Sequence, residues 1–384
     1  MRAGYKRTDA GIIPEDWKVN TLGEIGNVRM CKRVLKQQTR SNGDVPFYKI
    51  GTFGGVADAY INHSLFEEFK RKYSYPKKGD VLISAAGTIG RSVIFDGSPS
   101  YFQDSNIVWI ENDESKATNE YLWHCYQVTK WAVSHGGTVA RLYNDSLRTK
   151  IHVPVPPLSE QRAISQALSD VDALITTLDR LIAKKRDIKQ ATMQQLLTGK
   201  TRLSGFSGKW ETKTLGEVAS VAKGTQLHSS ETNVEGDFPH FNGGMSASSY
   251  TDKANTPAET IAISEGGNSC GYVQFIPEPF WCGGHCYAIV PSKVDKRFLY
   301  HTLKGSQASI MGLRVGSGLP NVQKSALTAF KIRIPCDSSE QAAIAAVLSD
   351  IDDELSALEA RRDKTRLLKQ GMMQELLTGK TRLI

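Results

Sequence analysis

No apolar run in these 384 residues approaches the roughly 18 needed to span a bilayer, and the opening MRAGYKRTDAG lacks a signal-peptide core. A cytoplasmic protein with no membrane partner is expected. Cysteine is scarce: Cys31, Cys125, Cys270, Cys282, Cys286 and Cys336 form no dense framework and read as reduced, mostly packed thiols. The one tight cluster joins Cys282, His285 and Cys286, but a structural zinc site needs four convergent ligands and no second pair lies nearby. Packing is its expected role, with no metal.

Catalytic signatures are missing as well. Gly-Lys-Thr occurs twice, inside LLTGKTRL at Leu196–Leu203 and Leu376–Leu383, yet the place of the first Walker A glycine holds Gln194 and Gln374. The context fails too, because a phosphate loop opens a helix and this motif follows the end of one. Gly87-Thr88-Ile89-Gly90 lacks the third glycine and the helix of a dinucleotide fingerprint. The Asn/Asp-Pro-Pro-aromatic motif of amino-methyltransferases is absent, since the one Pro-Pro, Pro156-Pro157, reads Val-Pro-Pro-Leu. No His-Glu-x-x-His helix or nuclease-type carboxylate cluster is seen. A binding protein is therefore expected, and not an enzyme.

What the chain does have is a duplication. Ser159–Leu203 aligns without a gap on Ser339–Leu383, 180 residues later, with 24 identities in 45 positions. Trp17 and Thr21-Leu22-Gly23-Glu24 recur as Trp210 and Thr214-Leu215-Gly216-Glu217, shifted by 193. The difference puts about 13 extra residues in the first copy, in the charged stretch between Tyr60 and Val81. The interiors diverge: AAGTIGR at Ala85–Arg91 faces EGGNSCG in the second copy. Shared mechanics with different targets is the expectation.

The globular parts read as strand-rich with short helices, strands being clear in Asp80–Phe95, in KIHVPVP and in FKIRIP. The repeated segment is different. Ile164, Leu168, Val171, Ile175, Leu178 and Ile182 recur every three or four residues, and Ile344, Leu348, Ile351, Leu355 and Leu358 repeat the pattern, as in a coiled-coil seam. Each helix is expected to start on a serine N-cap (Ser159; Ser338-Ser339) before Glu-Gln and to stop at Gly199 or Gly379 in left-handed conformation. Lys200 and Lys380 then lie at the negative ends of the helix dipoles. A helix of about 40 residues is roughly 60 Å long, and one chain supplying two matching seams favours an antiparallel pair. Gly371 in the second helix costs about 1 kcal/mol relative to Ala. The fold expected is α/β (α+β): two strand-rich globular domains and two long helices in an antiparallel coiled coil, with internal pseudo-two-fold symmetry. The boundaries are 1–157, 158–199 for the first helix, 200–336, and 337–384 for the second helix and tail.

Tyr5-Lys6, Ile13-Pro14-Glu15-Asp16-Trp17, Leu22-Gly23-Glu24, then Pro156-Pro157-Leu158-Ser159-Glu160-Gln161 opening a long helix and Leu-Leu-Thr-Gly-Lys closing it, all repeated, resemble the specificity subunit of type I restriction-modification systems. The second copy departs slightly, with Pro335-Cys336-Asp337-Ser338-Ser339 at the helix start. The resemblance implies two target recognition domains, each reading half of a split double-stranded DNA sequence across a helical spacer. It also implies methylation subunits, usually two, docked on the chain, with restriction subunits completing the complex. S-adenosylmethionine, ATP and Mg²⁺ would belong to those partners. A 60 Å spacer caps the half-site separation at about 17 base pairs of 3.4 Å rise.

A charge of +8 and a pI near 9.0 agree with an anionic partner. The most concentrated basic run is Arg29, Lys32, Arg33, Lys36 and Arg40, suited to phosphates. Arg91, and Arg141 beside Asn144, are candidate base readers, since Arg suits guanine and Asn suits adenine. In the second domain the comparable residues are Lys223, His240, Asn242, Arg314 and Asn321. Lys184, Lys185 and Arg186 could meet spacer phosphates or simply be a solvated coil face. Two rival readings remain: a coiled-coil scaffold without sequence-specific DNA binding, and a nucleotide hydrolase resting on the Gly-Lys-Thr pair.

Overall fold

The computed structural model describes residues 4–131, 141–233, 235–316, 318 and 320–383. The chain divides into two units, Met1–Thr177 with Arg362–Ile384, and Leu178–Arg361. Each unit therefore owns one globular domain and a segment of both long helices, Leu158–Leu196 and Ser338–Leu376.

The first unit is centred on a four-stranded antiparallel sheet in the order Gly26–Met30, Ile107–Asn112, Val81–Ser84, Ser92–Ile94. Its central strands read Val-Leu-Ile-Ser and Ile-Val-Trp-Ile, buried on both faces, which is why they are apolar without alternation. A second sheet orders Tyr60–Ile61, Val45–Tyr48, Tyr101–Phe102 around an aromatic cluster that includes Phe47, Phe66, Phe69 and Trp109. Lys18–Thr21 pairs with His152–Val155. The second unit repeats this plan. Ala219–Lys223, Cys286–Pro291, Thr260–Ser264 and Val273–Ile276 form its four-stranded sheet, and Trp210–Thr214 pairs with Lys331–Pro335.

The insertion expected between Tyr60 and Val81 holds a helix, His63–Lys72, capped by Asn62, whose Oδ1 accepts the Leu65 N–H at 2.8 Å. No described helix stands at the matching place of the second unit, between Thr251 and Thr260.

Within each unit the two long-helix segments run antiparallel. In the second, Lys185 meets Glu354 and Lys189 meets Asp352; in the first, Lys369 meets Asp172 at 2.7 Å and Arg382, just past the helix end, meets Glu160 at 2.5 Å. The seam is more mixed than its spacing predicts. Ile164 and Leu168 are fully buried in the first globular core beside Met373, Leu376 and Leu377. Ile344 and Leu348 do the same in the second core beside Leu196. Leu178, Ile182 and Leu355 are buried, while Val171, Ile175, Ile351 and Leu358 are half-buried.

The serine caps are a correction. The helices begin at Leu158 and Ser338, so Ser159 and Ser339 lie inside the first turn, and Asp337 Oδ1 accepts the Ser339 N–H at 2.8 Å. The Glu-Gln that follows is a pair of buried anchors. Gln161 accepts the Thr118 N–H and donates to the carbonyls of Lys116 and Pro156; Gln341 likewise accepts from Asp295 and donates to Pro335. Fully buried Glu160 receives Trp17 Nε1 at 3.0 Å and Arg382 at 2.5 and 2.8 Å, and Arg382 also forks onto Asp16 at 3.0 and 2.8 Å. Its counterpart Glu340 takes Arg202 at 2.5 and 2.6 Å. Thus the Arg and Gly of LLTGKTRL lock a helix end onto a globular domain. Gly199 and Gly379 are left-handed, at φ +67° and +68°, and a methyl at Gly379 would sit 2.5 Å from Pro14 Cγ.

Candidate nucleic-acid interface

Each central sheet opens, at one end, onto a cluster of loops. In the second unit these loops enclose a cleft of about 650 Å³. Strand Ala219–Lys223 ends in it with Lys223, Asn242-Gly243-Gly244 follows strand Phe238–Phe241, and Glu265 to Ser269 follows strand Thr260–Ser264. His285 and Asn321 complete the wall. Gly243, Gly244 and Gly267 have φ of +88°, +90° and +74°, so the backbone there makes turns that side-chain-bearing residues resist.

Glu265 organises the cleft. It accepts Lys223 Nζ and the Tyr287 hydroxyl, both at 2.8 Å, and lies 3.7 Å from His285 Nδ1. Burial, and then the adjacent Glu265 carboxylate, push the Tyr287 hydroxyl well above its ordinary range, so it stays a donor. Asn242 Oδ1 accepts the His285 N–H at 3.1 Å. The Asn321 main chain is tied to Val315 by two hydrogen bonds, at 2.8 and 3.0 Å, and its side chain is exposed. The cleft thus offers a cation, a carboxylate, two carboxamides and an imidazole, the vocabulary of base-edge recognition more than of phosphate binding.

The same scaffold position in the first unit carries other side chains. Arg141 bridges to Ala86 as Asn321 does to Gly266. Its Nη2 donates to Ser105 O at 3.1 Å, Ser105 Oγ at 3.0 Å and Asn106 Oδ1 at 3.3 Å, while Arg33 Nε holds Asp104 at 2.9 Å. Two of the arginines picked from sequence therefore attach to one turn, Asp104 to Asn106, in which Ser105 has φ +53°. Arg91 is exposed but donates to Phe53 O at 2.8 Å. Asn144 is exposed and opens the short helix Asn144–Lys150.

The remaining residues scatter. Arg29 pairs with Glu111 at 2.8 Å. Lys32, Lys36 and Arg40 are exposed, with Lys32 Nζ 5.1 Å above the Tyr73 ring just beyond the inserted helix. That helix ends in exposed Lys70, Arg71 and Lys72, which sequence reading located as an insertion without assigning a role. In the second unit Arg314 is exposed, one residue before Val315. His240 is a correction: it is 4% exposed, its Nδ1 is spent on Ser249 Oγ at 2.9 Å, and burial lowers its pKa, so its ring faces protein. Lys185 and Arg186 are matched by Glu354 and Glu359. Among the described residues no group of three or more His, Cys, Asp or Glu is arranged to hold a metal, and no helix is long and apolar enough to cross a membrane.

Two repeated domains with matched scaffolds and unlike loop clusters, joined by paired helices, define a class of modular readers. The family model for the type I restriction modification DNA specificity domain matches residues 14–186 and again 207–367, and the chain belongs to that family. A putative type I restriction enzyme specificity subunit of Haemophilus influenzae is 60% identical over 174 residues, which is 45% of each chain. One of Methanocaldococcus jannaschii is 28% identical over 418 residues, covering 99% of this chain and 97% of its own. The solved type I restriction-modification S subunit of M. genitalium superposes with a TM-score of 0.69 at 18% identity, over 94% of this chain and 96% of that one, and shares the fold.

Proposed function

We propose that the chain, without catalysing a reaction itself, reads a split, asymmetric double-stranded DNA target, one half through each unit's loop cluster. It is also the platform on which methylation subunits, two in number, and restriction subunits assemble in the cytoplasm. One observation carries this reading: a common scaffold position holds Arg141 and Ser105 in one unit and Asn321 and His285 in the other. Matched scaffold positions with different side chains are what two readers of different sequences require. In the first unit Arg141 and Arg33 suit guanine edges; in the second Asn242 and Asn321 suit adenine, Lys223 guanine, and Glu265 the cytosine amino group. Lys32, Lys36, Arg40 and the helix end Lys70, Arg71 and Lys72 neutralise phosphates beside the first unit's loop cluster. S-adenosylmethionine, ATP and Mg²⁺ bind the partner subunits.

The test is co-expression with a cognate methylation subunit followed by methylome sequencing. One new split motif bearing N6-methyladenine is expected. Arg141→Ala relaxes one half of that motif and Asn321→Ala the other, each by about 1–3 kcal/mol of discrimination. An active complex that modifies DNA without any motif, or variants that alter both halves equally, refutes the reading.

A further inference from the structure

Each globular domain holds one apolar side chain far out in solvent. Val56 is 88% exposed and Met245 66% exposed, and among the described residues each is the most exposed large apolar side chain of its domain. A single such residue is ordinary. These two, however, occupy the same place in the repeat. Val45–Tyr48 pairs with Tyr60–Ile61 and, in parallel, with Tyr101–Phe102; Phe238–Phe241 pairs with Ser249–Thr251 and, in parallel, with Trp281–Cys282. Pro46 lies opposite Tyr60 in one hairpin and Pro239 opposite Tyr250 in the other. Both hairpin loops carry a Gly-Gly followed by the exposed residue, as Gly54-Gly55-Val56 and Gly243-Gly244-Met245.

Both loops are pinned. In the first unit Phe53 is buried in the aromatic cluster, and its carbonyl accepts Arg91 Nη1 at 2.8 Å. The Thr52 N–H donates to Lys49 O and the Gly55 N–H to Thr52 O, both at 3.0 Å, while Lys49 meets Asp58 at 2.8 Å across the base of the loop. In the second unit the Gly244 N–H donates to the hydroxyls of Ser264 and Ser269 at 3.2 and 3.0 Å, and the Ser248 N–H to His240 O at 2.8 Å. An apolar side chain held in water on a fixed loop gives the fold nothing. It is pre-organised for a surface that covers it.

The neighbours indicate which surface. Met245 follows Asn242-Gly243-Gly244, part of the wall that also carries Lys223 and Asn321. In the first unit the Ile50 N–H donates to Gln103 Oε1 at 2.9 Å, one residue before the turn that Arg33 and Arg141 hold. Both tips therefore adjoin side chains suited to base edges. Valine and methionine have no donor for a phosphate oxygen, and the apolar group that a base pair shows in the major groove is the 5-methyl of thymine.

We propose that Val56 and Met245 each read one thymine, packing on its 5-methyl group in the half-site that their own unit contacts, an inference that rests on the DNA reading above. Removing that methyl, or the side chain that covers it, costs about fourfold in kcat/KM, the worth of burying one methyl group.

The test uses the full chain reconstituted with the methylation subunit, acting on duplexes that carry the motif found by methylome sequencing. Deoxyuridine replaces every thymidine of one half-site, which keeps base pairing and removes only the methyl groups. Val56→Ser and deoxyuridine in one half-site should each cost about fourfold and together little more than either alone, whereas Val56→Ser and deoxyuridine in the other half-site should multiply. Met245→Ser should show the opposite pattern. Both residues are exposed on loops, and unchanged melting is required of each variant. Losses that multiply in every combination, or wild-type rates unaffected by deoxyuridine, overturn the proposal while leaving a motif in place. A variant that loses the methylation subunit in native mass spectrometry without DNA assigns its side chain to a protein interface and overturns it too. Absence of any motif defeats the DNA reading itself, and this inference with it.

Discussion

Arg382→Ala should unfasten the first unit. The substitution leaves Glu160, fully buried, with only the Trp17 indole N–H at 3.0 Å, and strips the two bonds from Asp16. Removing one partner of a buried ion pair costs about 3–5 kcal/mol. Arg382 retains 31% exposure, so solvent screens part of the attraction and the lower end, about 3 kcal/mol, is expected. Asp16 adds little, being 55% exposed, though the Arg382 hydrogen bond does hold its carboxyl below the usual range. Hydrogen exchange at the start of the first long helix, together with urea unfolding of the full chain, measures the loss. Arg382→Lys should recover less than half of it, because an ammonium cannot fork onto two carboxylates. In a Glu160→Gln background the same Arg382→Ala change should cost far less. A loss below about 0.5 kcal/mol, within the range of an ordinary surface pair, or an equal loss in both backgrounds, would refute the account.

The other perturbations are simpler. Gly379→Ala should destabilise by about 2–4 kcal/mol, combining left-handed backbone with a clash on Pro14 and Trp17, whereas Gly199→Ala, whose methyl would lie 3.3 Å from the Trp210 ring, should cost about 1–2; thermal melting compares them. Gly371→Ala should stabilise by about 0.5–1 kcal/mol, since the site is helical and exposed with nothing within 4 Å of the added methyl. His124 and His301, buried against Ser169 and Ser349, are held down to about 4, chiefly by burial, from an ordinary 6.5. The unfolded chain binds their protons first, so stability is full above about pH 6.5 and falls as pH drops toward 4, by on the order of 3 kcal/mol for each histidine. Urea titrations from pH 7 to 4 should show this slope flattened in His124→Gln with His301→Gln.

Local periodicity carried the architecture into view. The three-and-four spacing from Ile164 to Ile182 gives the helix, and the alternation in Lys331 to Pro335 gives the edge strand, because both patterns report which side of an element meets the core. What stayed hidden depends on distance along the chain. Glu160 looks like a helix-opening residue until its partner is found 222 positions away at Arg382. His240, in a strand read for its polar side chain, is buried because its neighbour strand brings Ser249 over the ring. The seam positions Ile164 and Leu168 obey coiled-coil spacing yet serve a globular core, since spacing identifies the buried face and not what covers it. For the clefts, residue type was enough to nominate Lys223, Asn242 and Asn321, but only tertiary structure places them in one wall with Glu265 and His285.

The lock between Arg382 and Glu160 also bears on synthesis. The second unit, Leu178–Arg361, is contiguous and can finish folding as soon as its last residues leave the ribosome. The first unit is made earlier but lacks its final helix segment and its anchoring arginine until residues 362–384 emerge. The half translated first is therefore the half completed last. During that interval the apolar faces around Trp17, Ile164 and Leu168 wait uncovered for Met373, Leu376 and Leu377, and a nascent chain stalled before Arg362 is the form in greatest need of a chaperone.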